Sequence, residues 1–172
     1  MPPKGTRPTT DRVRESLFNV LEARFDFDGA TVLDLYAGSG ALGLESMSRG
    51  ARSALFVESD RRAAAVISRN ITELGLKSAV VRCSPVGPVL AGGAQRPADL
   101  VFADPPYEVA VTEVESNVVA LASGGWLAEG AVVVLERGTA GPAVGWPEGF
   151  DVLKERRYGD TRLEMACYRQ SP

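Results

Sequence analysis

The 172-residue chain contains no histidine. That absence excludes Ser-His and Cys-His nucleophilic catalysis and most transition-metal chemistry, because imidazole is the usual base near neutral pH and the commonest metal ligand. Cysteine is nearly absent too. Cys83 and Cys167 stand far apart, each in an apolar run, and read as buried free thiols; neither a disulfide framework nor a zinc site is supported. No apolar stretch approaches the ~20 residues needed to span a bilayer, and the N-terminus lacks a signal-peptide pattern, so the expected location is cytoplasmic. Internal repeats and low-complexity segments are also missing. The chemistry left open is one that needs little help from acids, bases or metals.

What is present suits one compact unit. A hydrophobic share of 45% and this length fit a single domain over residues 1–172, with residues 1–24 as an extended start followed by a helix. The net charge of −3 argues against a dominant nucleic-acid surface, although a local basic patch still binds phosphate. Two such patches occur: Lys4, Arg7, Arg12, Arg14 and Arg24 near the N-terminus, and Lys154, Arg156 and Arg157 near the C-terminus. By default each is a solvated surface.

Along the chain, Thr9 or Thr10 can cap a helix over 11–24, with Val13, Leu17, Val20, Leu21 and Arg24 on one face. Strands are expected at 30–36, 54–57, 79–82, 100–103 and 131–135. Helices are expected between them at 41–48, 61–74 and 110–122. Near-continuous apolar strands alternating with helices make a mainly parallel sheet covered on both faces. The tail departs from that alternation: 152–158 and 162–168 flank Gly159-Asp160-Thr161 and read as an antiparallel hairpin. Residues 137–149, with their Gly and Pro, read as a long loop without a core pattern. An α/β sheet finished by such a hairpin is the Rossmann-like arrangement of class I methyltransferases, with seven strands.

The first strand runs into Asp34-Leu35-Tyr36-Ala37-Gly38-Ser39-Gly40. Gly38 and Gly40 let the backbone turn and approach a ligand closely. With Gly43 they complete a GxGxxG, which by itself also fits a dinucleotide. Asp34 discriminates, because a carboxylate at the loop entrance repels a pyrophosphate and attracts the cationic methionine portion of S-adenosylmethionine. Glu58, at the end of the second strand, can accept both ribose hydroxyls; in isolation it would be a strand-end surface acid. Tyr36 joins the candidate cofactor contacts. At the end of the third strand only Ser84, or a backbone group, is available to read the adenine.

The fourth strand runs into Asp104-Pro105-Pro106-Tyr107. In an open α/β sheet this loop lies beside the first one, at the carboxyl ends of the strands. An exocyclic amine on a nucleobase is a poor nucleophile because its lone pair is delocalised. Hydrogen bonds from its N–H groups to the Asp104 carboxylate and the Pro105 carbonyl would pyramidalise the nitrogen and aim the lone pair at a methyl donor. The two prolines hold that carbonyl, and Tyr107 can stack on the base. Asp-Pro-Pro-Tyr is also a plausible turn by composition. Its place after an apolar strand, downstream of the Asp34 loop, favours the catalytic role.

Taken together, Arg7-Pro8-Thr9-Thr10-Asp11-Arg12-Val13-Arg14-Glu15-Ser16-Leu17-Phe18-Asn19, Asp34 to Gly43, Asp104 to Tyr107 and Tyr158-Gly159-Asp160-Thr161 resemble the RsmD-type methyltransferases. That family modifies guanine N2 in 16S ribosomal RNA. The resemblance spans nearly the whole chain, and its N-terminal run is the most specific signal. It implies a base flipped from its stack, with Arg7, Arg12, Arg14 and Tyr107 as RNA contacts. It also implies a partner in 16S ribosomal RNA within a small-subunit assembly intermediate, and a monomeric enzyme. Relatives carry a Gly- and Arg-rich segment ahead of Arg7, where this sequence opens almost at the signature; normal cofactor binding and weak binding of free RNA are expected of it. The alternatives are an adenine-N6 or protein glutamine-N5 methyltransferase, since both nitrogens pose the same chemical problem. A non-catalytic RNA-binding module is argued against by the intact Asp104, and a nicotinamide oxidoreductase by Asp34.

Overall fold

A computed structural model describes residues 10–170. The elements are α1 (Asp11–Glu22), β1 (Thr31–Leu35), α2 (Ala41–Ser48), β2 (Ser53–Glu58), α3 (Arg61–Leu74), β3 (Ala79–Cys83), α4 (Val86–Ala91), β4 (Ala98–Ala103), α5 (Val111–Ser123), β5 (Leu127–Gly138), β6 (Phe150–Val152), β7 (Arg156–Tyr158) and β8 (Thr161–Tyr168). The sheet order is β3-β2-β1-β4-β5-β8-β6, with β7 also on β8. β1 to β5 run parallel, and β8 enters antiparallel to β5. β6 and β7 pair with opposite ends of β8, so they occupy one place in the sheet. The eight strands therefore fill the seven positions expected.

Each face of the sheet buries one core. Val32, Phe56, Leu100, Phe102, Val132 and Val134 pack under α1, α2 and α3, through Leu17, Phe18, Leu42 and Ile67. Leu33, Leu35, Val101, Val133 and Leu135 pack under α4 and α5, through Val89, Leu90, Val114 and Val118. Burying each large aliphatic or aromatic side chain of this kind is worth roughly 1.5–3 kcal/mol. The helices change face between β1 and β4, whose strands are neighbours. A crevice opens there at the carboxyl ends.

The C-terminal end of α1 is placed by an ion pair. Arg49, just past α2, reaches Glu22 at the end of α1 at 2.7 Å. Since α2 starts at the glycine loop, both helices begin at the carboxyl end of the sheet. Thr10 caps α1, its hydroxyl accepting from the Val13 amide at 3.2 Å, a bond that satisfies one of the orphan N–H groups of the first turn.

Several expectations change. The first helix stops at Glu22, and Arg24 lies beyond it, exposed; Phe18 is the buried residue on that face instead. Residues 152–158 do not form one strand, because the chain leaves the ladder between Val152 and Arg156. Cys83 is exposed and Cys167 half-buried, both free; the expected burial fails for Cys83 because β3 is the sheet edge, and for Cys167 because it lies near the end of β8. α4 was not expected from the sequence, since Pro85, Gly87 and Pro88 are residues that disfavour a helix interior. Pro88 sits in its first turn, where a missing N–H costs nothing. The loop after β5 does have a core residue, Val144. It is fastened by buried Arg162, which donates to the carbonyls of Gly141 at 3.0 Å and Pro142 at 2.8 Å. Glu164, paired with Arg162 at 3.2 Å, accepts from the Val144 amide at 3.0 Å.

Candidate active site

The loop after β1 is built on left-handed backbone at Tyr36 (φ 54°), Gly38 (φ 59°) and Gly40 (φ 81°). Gly40 is the N-cap of α2 and has no side chain to cap it. Asp34 supplies the cap from the strand beneath: its carboxylate accepts from the Gly43 amide at 3.0 Å. Gly43 cannot be larger, because a Cβ there would stand 2.3 Å from Cε1 of Phe56. The third glycine of the GxGxxG thus serves helix–sheet packing.

Asp34 is only 2% exposed. It lies under the loop, where the sequence had suggested the loop's entrance. Burial pushes its carboxyl up to about 8; the Gly43 amide pulls the other way, and nearby Glu58 adds to the rise. A cation above the loop would reverse much of that shift. Glu58, at the end of β2, accepts from the Gly38 amide at 2.7 Å and the Asp60 amide at 2.8 Å. Each of its oxygens keeps a further lone pair for a hydroxyl donor. Ser84 is less suited to an adenine: its hydroxyl donates to the Pro85 carbonyl at 2.9 Å, and its amide donates to Glu58 O at 3.1 Å.

Tyr36 stands between this loop and α5. Its hydroxyl accepts from Asn117 Nδ2 at 2.8 Å. Burial raises its pKa; Asn117 lowers it, Glu113 raises it and Arg137 lowers it again. The phenol is therefore held neutral at the switch point.

Across the crevice, Leu35 pairs with Ala103, so Tyr36 and Asp104 leave neighbouring strands side by side. Pro105 is buried, Asp104 and Pro106 half-buried, and Tyr107 exposed. The Pro106 carbonyl accepts from the Val109 amide at 3.1 Å and closes the turn. A cavity of about 310 Å³ is lined by Asp104, Pro105, Pro106, Tyr107, Arg137, Gly138, Ala140 and Gly141. The Tyr107 ring lies over Gly138, where a Cβ would stand 2.9 Å from Tyr107 Cε1. A larger cleft of about 380 Å³ lies at the far end of the strands, around Phe25, Asp28 and Arg49. Arg49 is taken up there by Glu22 and Glu45.

Of the residues picked from sequence, Asp34, Tyr36, Gly38, Gly40 and Glu58 come together at one loop, and Asp104 to Tyr107 line the adjoining cavity. Arg12 and Arg14 sit at the same end of the sheet on α1. Arg14 is paired with Asp11 at 2.8 Å. Arg7 lies outside the described residues. Arg137, Gly138, Asn117 and Glu113 were missed. The signal for the first two was the end of the strand beside β4; α5 carried no comparable sign.

The strand order, the left-handed glycine loop over a buried carboxylate and the adjoining Asp-Pro-Pro-Tyr cavity define a Rossmann-like S-adenosylmethionine-dependent methyltransferase. A family described as "Conserved hypothetical protein 95" matches residues 1–167, and the chain belongs to it, the RsmD family. The chain is 39% identical over 161 residues to "Ribosomal RNA small subunit methyltransferase D" of Escherichia coli (strain K12), covering 94% of this chain and 79% of that protein. The solved structure of yhhF from Escherichia coli superposes with a TM-score of 0.86 at 33% identity, covering 98% of this chain and 91% of that one. The magnesium protoporphyrin IX methyltransferase of Synechocystis PCC 6803, solved with bound SAM, has the same fold at 14% identity and a TM-score of 0.70, covering 96% and 87%. No helix among the described residues is long and apolar enough to cross a membrane.

Proposed function

We propose that this chain, as a single methyltransferase domain, methylates the exocyclic N2 of a guanine in small-subunit 16S ribosomal RNA, using S-adenosylmethionine. The observation that carries this is the placement of Asp104 and Pro105 beside the Tyr36–Gly40 turn, over a cavity wide enough for one base. Family membership selects the substrate: the Escherichia coli relative named above acts on small-subunit ribosomal RNA by its name. The guanine N2 atom follows from the resemblance to the RsmD type. The enzyme works as a cytoplasmic monomer on an assembly intermediate.

The residues fit the cofactor. Gly38 and Gly40 would pass beside it, Asp34 would balance its positive charge from below, and Glu58 would accept its ribose hydroxyls. Ser84 or a neighbouring backbone group would meet the adenine, and Tyr36 would buttress the turn. When bound, S-adenosylmethionine supplies an electrophilic methyl group. On the substrate side, Tyr107 stacks on the flipped base, the Asp104 carboxylate and Pro105 carbonyl accept from the two N–H groups, and Pro106 stiffens the turn. The nitrogen lone pair is freed from the ring, and Asp104 stabilises the developing positive charge. The surplus proton then leaves to water. Arg7, Arg12 and Arg14 hold RNA phosphates; the exposed Asp11–Arg14 pair is weak enough to yield to them.

The test is incubation with labelled S-adenosylmethionine and undermethylated small subunits, naked RNA, or DNA, followed by nucleoside identification. N2-methylguanosine from subunits is expected; label in N6-methyladenosine or in protein overturns the assignment. Asp104→Ala should lower turnover at least about 100-fold while cofactor affinity, read by calorimetry, stays nearly intact. Loss of cofactor binding would refute this division of roles.

A further inference from the structure

The cavity has one carboxylate and one guanidinium among its described lining residues, Asp104 and Arg137. They stand on adjacent parallel strands, just beyond the pairing of Ala103 with Leu135. Arg137 is half-buried, and one corner is fixed: Nη2 donates to the Val109 carbonyl at 3.1 Å. Val109 closes the turn after Tyr107, so that bond sets the guanidinium against the catalytic loop. Among the described residues Val109 is the hydrogen-bond partner of the Arg137 guanidinium, which carries five N–H donors. Tyr36 and Glu113 are near enough that the Arg137 charge lowers, and the Glu113 charge raises, the pKa of the Tyr36 phenol. The guanidinium lines the cavity with Asp104 and Tyr107.

A base stacked on Tyr107, with its amine toward Asp104, presents an edge to the strand that carries Arg137. Nucleobases differ at that edge. Guanine's amine is followed around the ring by N1–H and then by two acceptors, O6 and N7. A base held by its 2-amino group on a carboxylate therefore offers acceptors away from that carboxylate, and a guanidinium is their natural partner. Adenine held by N6 offers C–H and N3 there; a glutamine amide offers nothing.

We propose that Arg137 is a specificity-determining residue that recognises the O6/N7 acceptor edge of the target guanine. This rests on the guanine-N2 assignment above, and the experiment separates the two. Small subunits are reconstituted with guanosine or 2-aminopurine riboside at the methylated nucleotide. Both keep the 2-amino group and N7, and only guanosine has O6 and N1–H, so the change in preference on substituting Arg137 is what reads the O6 contact. Single-turnover rates are measured for the wild type, Arg137→Met and Arg137→Lys, with melting curves and calorimetric cofactor affinity as folding controls.

The wild type should prefer guanosine about five- to 150-fold, the span of one bidentate base contact. Arg137→Met should lose most of that preference by slowing guanosine several-fold more than 2-aminopurine riboside, which keeps N7 and loses only that single contact. Arg137→Lys, with a single point of contact, should fall between and carries the test if the Met variant melts. Equal losses on both substrates would show that Arg137 only anchors Val109, and would overturn the assignment. Label elsewhere than N2 in the wild-type control overturns the guanine reading itself.

Discussion

Burial of Asp34 makes a quantitative prediction about cofactor binding. Its carboxyl is pushed up to about 8 from an ordinary 3.8, so at pH 7 about one molecule in ten carries the charge before a ligand binds. A cationic ligand above the loop favours the ionised form. Binding must then expel a proton, close to one per site at pH 7. Affinity should tighten about tenfold per unit from pH 6 to about 8, then level off. Stability of the ligand-free protein has the opposite sense. The folded state holds the proton more firmly than the unfolded chain between pH 3.8 and about 8. Stability therefore falls as pH rises through that window, by up to about 1.4 kcal/mol per unit for this one group. Asp34→Asn keeps an oxygen for the Gly43 amide but cannot ionise. It should be more stable than the wild type at pH 8, equally stable near pH 4, and weaker in cofactor binding at pH 8. The assay is titration calorimetry with S-adenosylmethionine in two buffers of different ionisation enthalpy, alongside melting curves across the same range. The ligand's own α-amino group titrates near pH 8, but identically for both proteins, so the difference between them isolates Asp34. Equal pH slopes for wild type and Asp34→Asn, with no extra proton released by the wild type, would refute the reasoning.

Two substitutions test the packing on which the site stands. Gly43→Ala places a Cβ 2.3 Å from Cε1 of Phe56, a ring with no exposure; it should cost about 1–3 kcal/mol in urea unfolding, and a change below about 0.5 would show that Phe56 can retreat. Gly138→Ala places a Cβ 2.9 Å from the ring of Tyr107, which is 57% exposed; stability should change by less than about 1 kcal/mol, while KM for small subunits rises and cofactor affinity holds. Unaltered kinetics would remove Tyr107 from base stacking.

The parts of this molecule legible in its sequence are those where a local pattern and a chemical need coincide. Strands buried on both faces read as apolar runs, so β1, β2 and β4 were found to within two residues at each end. The two loops that follow β1 and β4 were found because their residue types are costly anywhere else. What was missed depends on contacts between distant segments. Arg162 looks like an ordinary hairpin cation until the fold lays Gly141 and Pro142 against it, and only then does the loop around Val144 acquire a reason to be ordered. Arg137 likewise becomes part of the site through strand order, since nothing within Leu135-Glu136-Arg137-Gly138 announces that β5 lies next to β4. Asp34 shows the intermediate case. Its position four residues before Gly38 pointed to the right ligand, but through the wrong geometry. A carboxylate at the loop's mouth would select a cation by simple attraction; one buried beneath it, capping α2 and largely protonated, would select a cation because only a cation makes its ionisation favourable. The two mechanisms choose the same ligand, and the pH dependence of binding distinguishes them.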